Sequence, residues 1–136
     1  MKEQINIKVG DIASITKKFT KNDVISFSNI SLDKNPVHLD EDYAAETIFK
    51  RPIVHGLLPA SLISAVIGTK LPGIGSIYLS QVLKFELPVY INDTITASVE
   101  VLSIRTDKPI FTLHTICKNQ KGNTVTSGNA VVILKK

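Results

Sequence analysis

In the stretch DKNPVHLDEDYA, which begins at Asp33, an aspartate, an asparagine and a histidine surround Pro36. A carboxylate ionised at neutral pH and an imidazole that titrates near it can, held together, grip one water molecule and move its protons in both directions. On a continuous helix the step from Asp33 to His38 would turn the two side chains roughly 140° apart. Pro36 removes that constraint, because it lacks an amide proton and biases Asn35 toward extended geometry. The segment DKNPVHLD therefore reads as a loop, which can aim Asp33 and His38 at one point. Asn35 suits such a loop by bonding its own backbone. The same residue types are common turn formers, so Asp-x-Asn-Pro taken alone also reads as a plain turn. Asp40 reads as the cap of the next helical turn, with Glu41 and Asp42 as a solvated acidic start favoured by the helix dipole.

A second segment, RPIVHGLLPASLIS, places His55 and Gly56 directly before an apolar helical run. Glycine there lets the backbone come close to a ligand. The free amides of a helix start, with the helix dipole, suit a carbonyl oxygen that gains negative charge. Gly56 is thus a candidate oxyanion donor, against the plainer reading of a glycine that makes the turn. His55 reads as a structural side chain at the helix entrance.

These residues need elements to hold them. ASITKKFT has the alternation of a strand. In TKNDVISFSNI, Thr20 and Asp23 stand in capping-box arrangement, and Val24, Phe27, Ile30 and Ile25 are expected on the inner helical face. A helical turn is expected around DEDYAAET. The run HGLLPASLISAVIGTKL repeats Leu58, Leu62, Ala65 and Val66 at helical spacing, tolerates Pro59 in the first turn and ends near Gly68. Apolar residues lie nearly all round it, which predicts a helix buried on most sides. Beyond it, SIYLSQVLKFEL, DTITASVEVLSI, PIFTLHTICKNQ and TVTSGNAVVIL are rich in strand-favouring residues with period two, and NQKGN reads as a hairpin turn. Short connections between long strands favour an antiparallel sheet. The expected class is α+β, a curved antiparallel sheet around a central helix, in one domain spanning 1–136.

Composition narrows the function. The 136 residues are 43% hydrophobic, enough for one core and too few for two ordinary domains. The longest apolar runs are too short and too interrupted to cross a bilayer, and the first residues lack a signal-type apolar core, so a cytoplasmic location is expected. Cys117 is the single cysteine, and no ligand spacing suggests zinc, so no metal is expected. The net charge of +4 is scattered and there is no Trp, which argues against nucleic acid. His114, Tyr78 and Tyr90 read as sheet-surface and packing residues. Lys70, Lys84 and Lys108 are candidates for phosphate contacts and otherwise solvated.

Taken together, the run from Asp33 to Ser64, DKNPVHLDEDYAAETIFKRPIVHGLLPASLIS, closely resembles the hydratase motif of the (R)-specific enoyl-CoA hydratases, the MaoC-like branch of the hot-dog fold. The resemblance continues through LPGIGSIYLSQVLKFELPVYINDTITASVEV and DKPIFTLHT, over nearly the whole chain. It implies hydration of a trans-2-enoyl-CoA to an (R)-3-hydroxyacyl-CoA without metal or prosthetic group. It also implies that Asp33 and His38 share the attacking water, that the Gly56 amide polarises the thioester carbonyl, that Asn35 orders the loop and that Ser64 supports the aspartate from the central helix. The working unit it implies is a homodimer joining two sheets edge to edge, in fatty-acid oxidation or polyhydroxyalkanoate supply. One departure is Leu32, where the family pattern often has glycine. The alternatives are a 3-hydroxyacyl-ACP dehydratase of fatty-acid synthesis, which shares the chemistry, a hot-dog acyl-CoA thioesterase, and a non-catalytic acyl-CoA-binding module.

Overall fold

The structure is a computed structural model and describes residues 6–135. The chain order is β1 (Ile12–Lys18), α1 (Lys21–Ser31), α2 (Pro36–Leu39), α3 (Glu41–Ala45), α4 (Leu57–Thr69), β2 (Ser76–Gln81), β3 (Lys84–Phe85), β4 (Thr94–Ile104), β5 (Ile110–Lys118) and β6 (Thr124–Leu134). Every strand pair is antiparallel, and the sheet runs β1-β4-β5-β6-β2, with β3 also paired to β6. Short turns join β4 to β5 and β5 to β6, the second being the expected NQKGN connection.

Period-two patterning decides which face is covered. Ile95, Ala97, Val99 and Val101 of β4, Phe111, Leu113 and Cys117 of β5, and Val125, Ala130 and Val132 of β6 are buried together. Against this face lie Leu62, Ile63, Val66 and Ile67 of α4. Each large apolar side chain buried this way contributes roughly 1.5–3 kcal/mol. The other face is polar along β1 and β4, with Ser14 bonded to Ser98 and Thr16 to Thr96, each at 2.8 Å. Burial pushes the Cys117 thiol up to about 12, so it is a packing group and no nucleophile at neutral pH.

Three expectations change. The inner face of α1 holds Val24, Phe27 and Ser28, while Ile30 is 82% exposed and Ile25 is also exposed. At about 100° per residue, Ile30 lies well off the stripe through Val24 and Ser28. The helix α4 is not covered all round: Leu57, Ser61 and Ser64 form an exposed stripe at helical spacing. Finally, SIYLSQVLKFEL is two strands instead of one, with a register shift between Tyr78 and Ser80 and a break before β3.

That break sits where the chain crosses Gly128 of β6. The Val82 amide donates to the Asn129 carbonyl at 2.8 Å, and Gln81 Nε2 donates to the Val82 carbonyl at 2.9 Å and to Thr115 Oγ1 at 3.0 Å. A Cβ on Gly128 would run into the Val82 carbonyl oxygen. The crossing carries β3 back onto β6 and so delivers Phe85 to the site described next. Gly128→Ala is therefore expected to lower stability by at least about 2 kcal/mol, since backbone cannot yield as a side-chain tip can. Urea unfolding checks this, and an unchanged midpoint would show that the crossing does not need glycine.

Candidate active site

Helix α1 holds its capping box as expected, with Thr20 Oγ1 accepting from the Asp23 amide and Asp23 accepting from the Thr20 amide. It stops at Leu32, a left-handed C-cap with φ 68° and ψ 8°, whose amide donates to Ser28 O at 2.9 Å. This step turns the chain out of the helix, so Asp33 leaves it at once. Asp33 Oδ1 then accepts from the Asn35 amide at 3.2 Å, and Asn35 Oδ1 accepts from the Val37 amide at 3.2 Å. The expected loop is in part a helical turn: Asn35 caps α2, and Pro36 occupies its first position, where no amide proton is needed. Five residues on from Asp33, His38 thus rides a short rigid helix. Asp40 caps α3 by accepting from the Tyr43 amide at 3.1 Å.

His38 is buried, and its Nδ1 lies 2.7 Å from the carbonyl oxygen of Ile53. A carbonyl only accepts, so Nδ1 carries the proton and the neutral ring has its lone pair on Nε2. Burial holds the imidazole below its ordinary value of 6.5, opposed by the hydrogen bond to Ile53 and the nearby Asp33, and assisted by His55. A neutral ring ready to accept a proton is the result. Ile53 is itself fixed, because its amide donates to Val37 O at 3.2 Å and the next amide, of Val54, donates to Val89 O at 2.7 Å.

His55 is 2% exposed and belongs to the same cluster. Its ring stacks on His38 with centroids 3.9 Å apart, meets the edge of Phe27, and brings Nε2 within 3.0 Å of the Asp33 carbonyl oxygen and 3.1 Å of Ser28 Oγ. A carboxylate oxygen of Asp33 and a ring nitrogen from each of His38 and His55 lie within 4.8 Å of one another. The donors suit a cation poorly. Stacked rings direct their in-plane lone pairs side by side instead of at one point.

Gly56 caps α4 in a right-handed conformation, and the Gly56 and Leu57 amides donate to no acceptor among the described residues. Phe85 covers it: a Cβ on Gly56 would lie 2.8 and 2.9 Å from two ring atoms. Asp33, His38, His55, Gly56, Phe85 and Leu87 line one cavity of about 620 Å³, a size suited to an organic ligand. At its side, Tyr90 donates to Phe49 O at 3.3 Å and carries the Arg51 guanidinium over its ring at 4.0 Å. Tyr90 is thus more than packing.

Of the residues singled out in the sequence, Asp33, His38 and Gly56 meet at this cavity and Asn35 braces its loop. Ser64 does not join them within this chain. It stands two turns beyond Gly56, on the order of 12 Å along the helix, on the exposed stripe of α4, and has no hydrogen bond to Asp33 among the described residues. Lys70 donates to Ser14 O at 3.0 Å, and neither it nor Lys84 nor Lys108 lines the cavity. Sequence reasoning missed Ser28 and Phe85, expected Phe27 only on the inner face of α1, and read His55 as a structural side chain at the helix entrance. Its place before Gly56 was the one available signal.

Comparison with known proteins places this geometry among relatives. The family described as MaoC like domain matches residues 6–124. The (R)-specific enoyl-CoA hydratase of Aeromonas caviae is 50% identical over 129 residues, which cover 95% of this chain and 96% of its own. The protein of the same name from Rhodospirillum rubrum is 46% identical over 129 residues, covering 95% of this chain and 89% of its own. A solved structure, the (R)-hydratase from A. caviae involved in PHA biosynthesis, superposes with a TM-score of 0.93 over 95% of this chain and 98% of its own at 50% identity.

The left-handed Leu32 is strained, since a side chain there costs about 1–2 kcal/mol, against about 0.5–1 kcal/mol lost to the added freedom of an unfolded glycine. Leu32→Gly is expected to raise stability by roughly 0.5–1 kcal/mol. Chemical denaturation with an unchanged slope tests it, and a loss of stability would mean that the exposed Leu32 side chain makes contacts worth more than the strain.

Proposed function

The chain belongs to the MaoC-like domain family, whose fold is the α+β hot dog, and we propose that it is an (R)-specific enoyl-CoA hydratase, reversibly adding water to one face of a trans-2-enoyl-CoA. The observation that carries the reading is the approach of Asp33 and His38 to within 4.8 Å at a cavity that Gly56 also lines. Two groups at that separation can each reach one water at hydrogen-bond distance.

The reaction follows from these positions. The water oxygen bonds to the β carbon while one of its protons passes to the pair formed by Asp33 and His38. The alkene electrons move toward the thioester, whose oxygen gains the enolate charge and meets the Gly56 amide. The enolate collapses as the α carbon takes a proton from the same pair, which ends as it began. Both additions come from one water on one face, and the proton belongs to Asp33 and His38 as a coupled pair. Asn35 holds the loop that carries them. No metal or prosthetic group takes part, and CoA serves as the handle of the substrate.

The working unit we propose is a homodimer. Among the described residues β2 is a sheet edge without a further strand, on which Ile77 and Leu79 are each 53% exposed, and α4 carries the open stripe of Leu57, Ser61 and Ser64. A second copy pairing edge to edge would cover both. The lone buried thiol suits a reducing cytoplasm, and the product suits supply of polyhydroxyalkanoate precursors or fatty-acid intermediates.

Adding the protein to crotonyl-CoA should remove the enoyl absorbance and yield the (R)-3-hydroxy product. Asp33→Asn and His38→Ala should each lose activity by at least about 10²-fold while remaining folded. No turnover on CoA thioesters of several lengths would sink the CoA reading, turnover on ACP thioesters alone would make the protein a 3-hydroxyacyl-ACP dehydratase, and release of free thiol would make it a thioesterase.

The pH dependence has a definite sign. His38 must be neutral in the free enzyme to accept a proton, and its pKa is lowered, so kcat/KM should hold as pH falls to 6.5 and decline only below it. A rate profile whose acid limb has its midpoint above 6.5 would contradict the assignment of that limb to His38.

A further inference from the structure

We propose that His55 is a positioning residue for this reaction, anchoring the main chain of Asp33 through its Nε2–H while its ring face sets the plane of His38. The inference rests on the hydratase reading and adds to it a residue that touches neither the water nor the thioester.

The hydrogen bonding assigns the tautomer. The Asp33 carbonyl, 3.0 Å from His55 Nε2, can only accept, so that nitrogen carries the proton, and Ser28 Oγ at 3.1 Å accepts from it as well. The bare lone pair is then on Nδ1, which is buried and has no partner among the described residues. Folded proteins rarely leave such an atom unmatched. The double duty of the ring accounts for it. Phenylalanine could stack on His38 at 3.9 Å but could not donate to Asp33, and glutamine could donate but has no ring to stack. Imidazole does both, and its second nitrogen is what is left over.

His55 is also tied to the remaining parts of the site. Its carbonyl accepts from the Leu58 amide at 3.0 Å, at the entry to α4 beside Gly56, and Phe27 of α1 closes on its edge at 4.9 Å. One side chain therefore registers the Asp33 loop, the His38 ring and the start of α4 against each other. Small displacements of such groups cost a reaction heavily.

The test combines kinetics with a direct reading of the ring. In the wild-type protein, ¹⁵N–¹H correlation of the imidazoles should show His55 protonated at Nε2, and a proton on Nδ1 alone would overturn the proposal. His55→Gln and His55→Phe should each lower kcat on crotonyl-CoA on the order of 10- to 100-fold with KM nearly unchanged. Variants that melt earlier but keep wild-type kcat would reduce His55 to a structural residue and overturn it. If a variant fails to fold, the tautomer decides. A wild-type protein without turnover would instead strike the hydratase reading itself, and this inference with it.

Discussion

The seat of α4 in the curved sheet is the constraint on which the rest of the molecule depends. Leu62, Ile63, Val66 and Ile67 can leave water only by lying on the inner face of the sheet, chiefly on β4 with β1 and β5 beside it, and this determines where the helix begins. At that beginning stand His55, Gly56 and two amides with no acceptor among the described residues. The position of these donors follows from core packing, because the amides of a helix start cannot be moved without moving the helix.

Around that fixed point, main-chain carbonyls orient the two imidazoles. The Ile53 carbonyl determines which nitrogen of His38 is bare, and the Asp33 carbonyl does the same for His55. Asp33 itself stays exposed while both rings are buried. The contrast matters: burial keeps the His38 imidazole neutral, and exposure leaves the carboxylate in contact with solvent and with whatever enters the cavity. Local strain supports the arrangement, since the left-handed Leu32 ends α1 where the acid must leave it.

The sheet contributes by a defect. Had β2 and β3 been one straight strand, nothing would bend Phe85 over Gly56. The crossing at Gly128, locked by the Gln81 side chain, bends the chain and still returns it to β6. Before the bend, β2 is an edge of the sheet among the described residues, with Ile77 and Leu79 exposed on it.

Much of this was legible in the amino-acid order, because it is local. Period two marked β4, β5 and β6, helical period marked α4, and Thr20 with Asp23 announced α1 through a box that spans four residues. Proline within DKNPVHLD broke the helix geometry that would have kept Asp33 and His38 apart, and the joint motif pointed to the family. Other features depend on contacts between residues distant in the chain. Which face of α1 turns inward, with Ile30 left outside, was decided by what the loop and α4 offered it. That His55 reaches back to Asp33 and stacks on His38, that Phe85 covers Gly56, and that Ser64 makes no hydrogen bond to Asp33 among the described residues all depend on how α4 and β3 sit on the sheet. Periodicity states which residues share a face of one element. Only packing of the whole chain decides what that face meets.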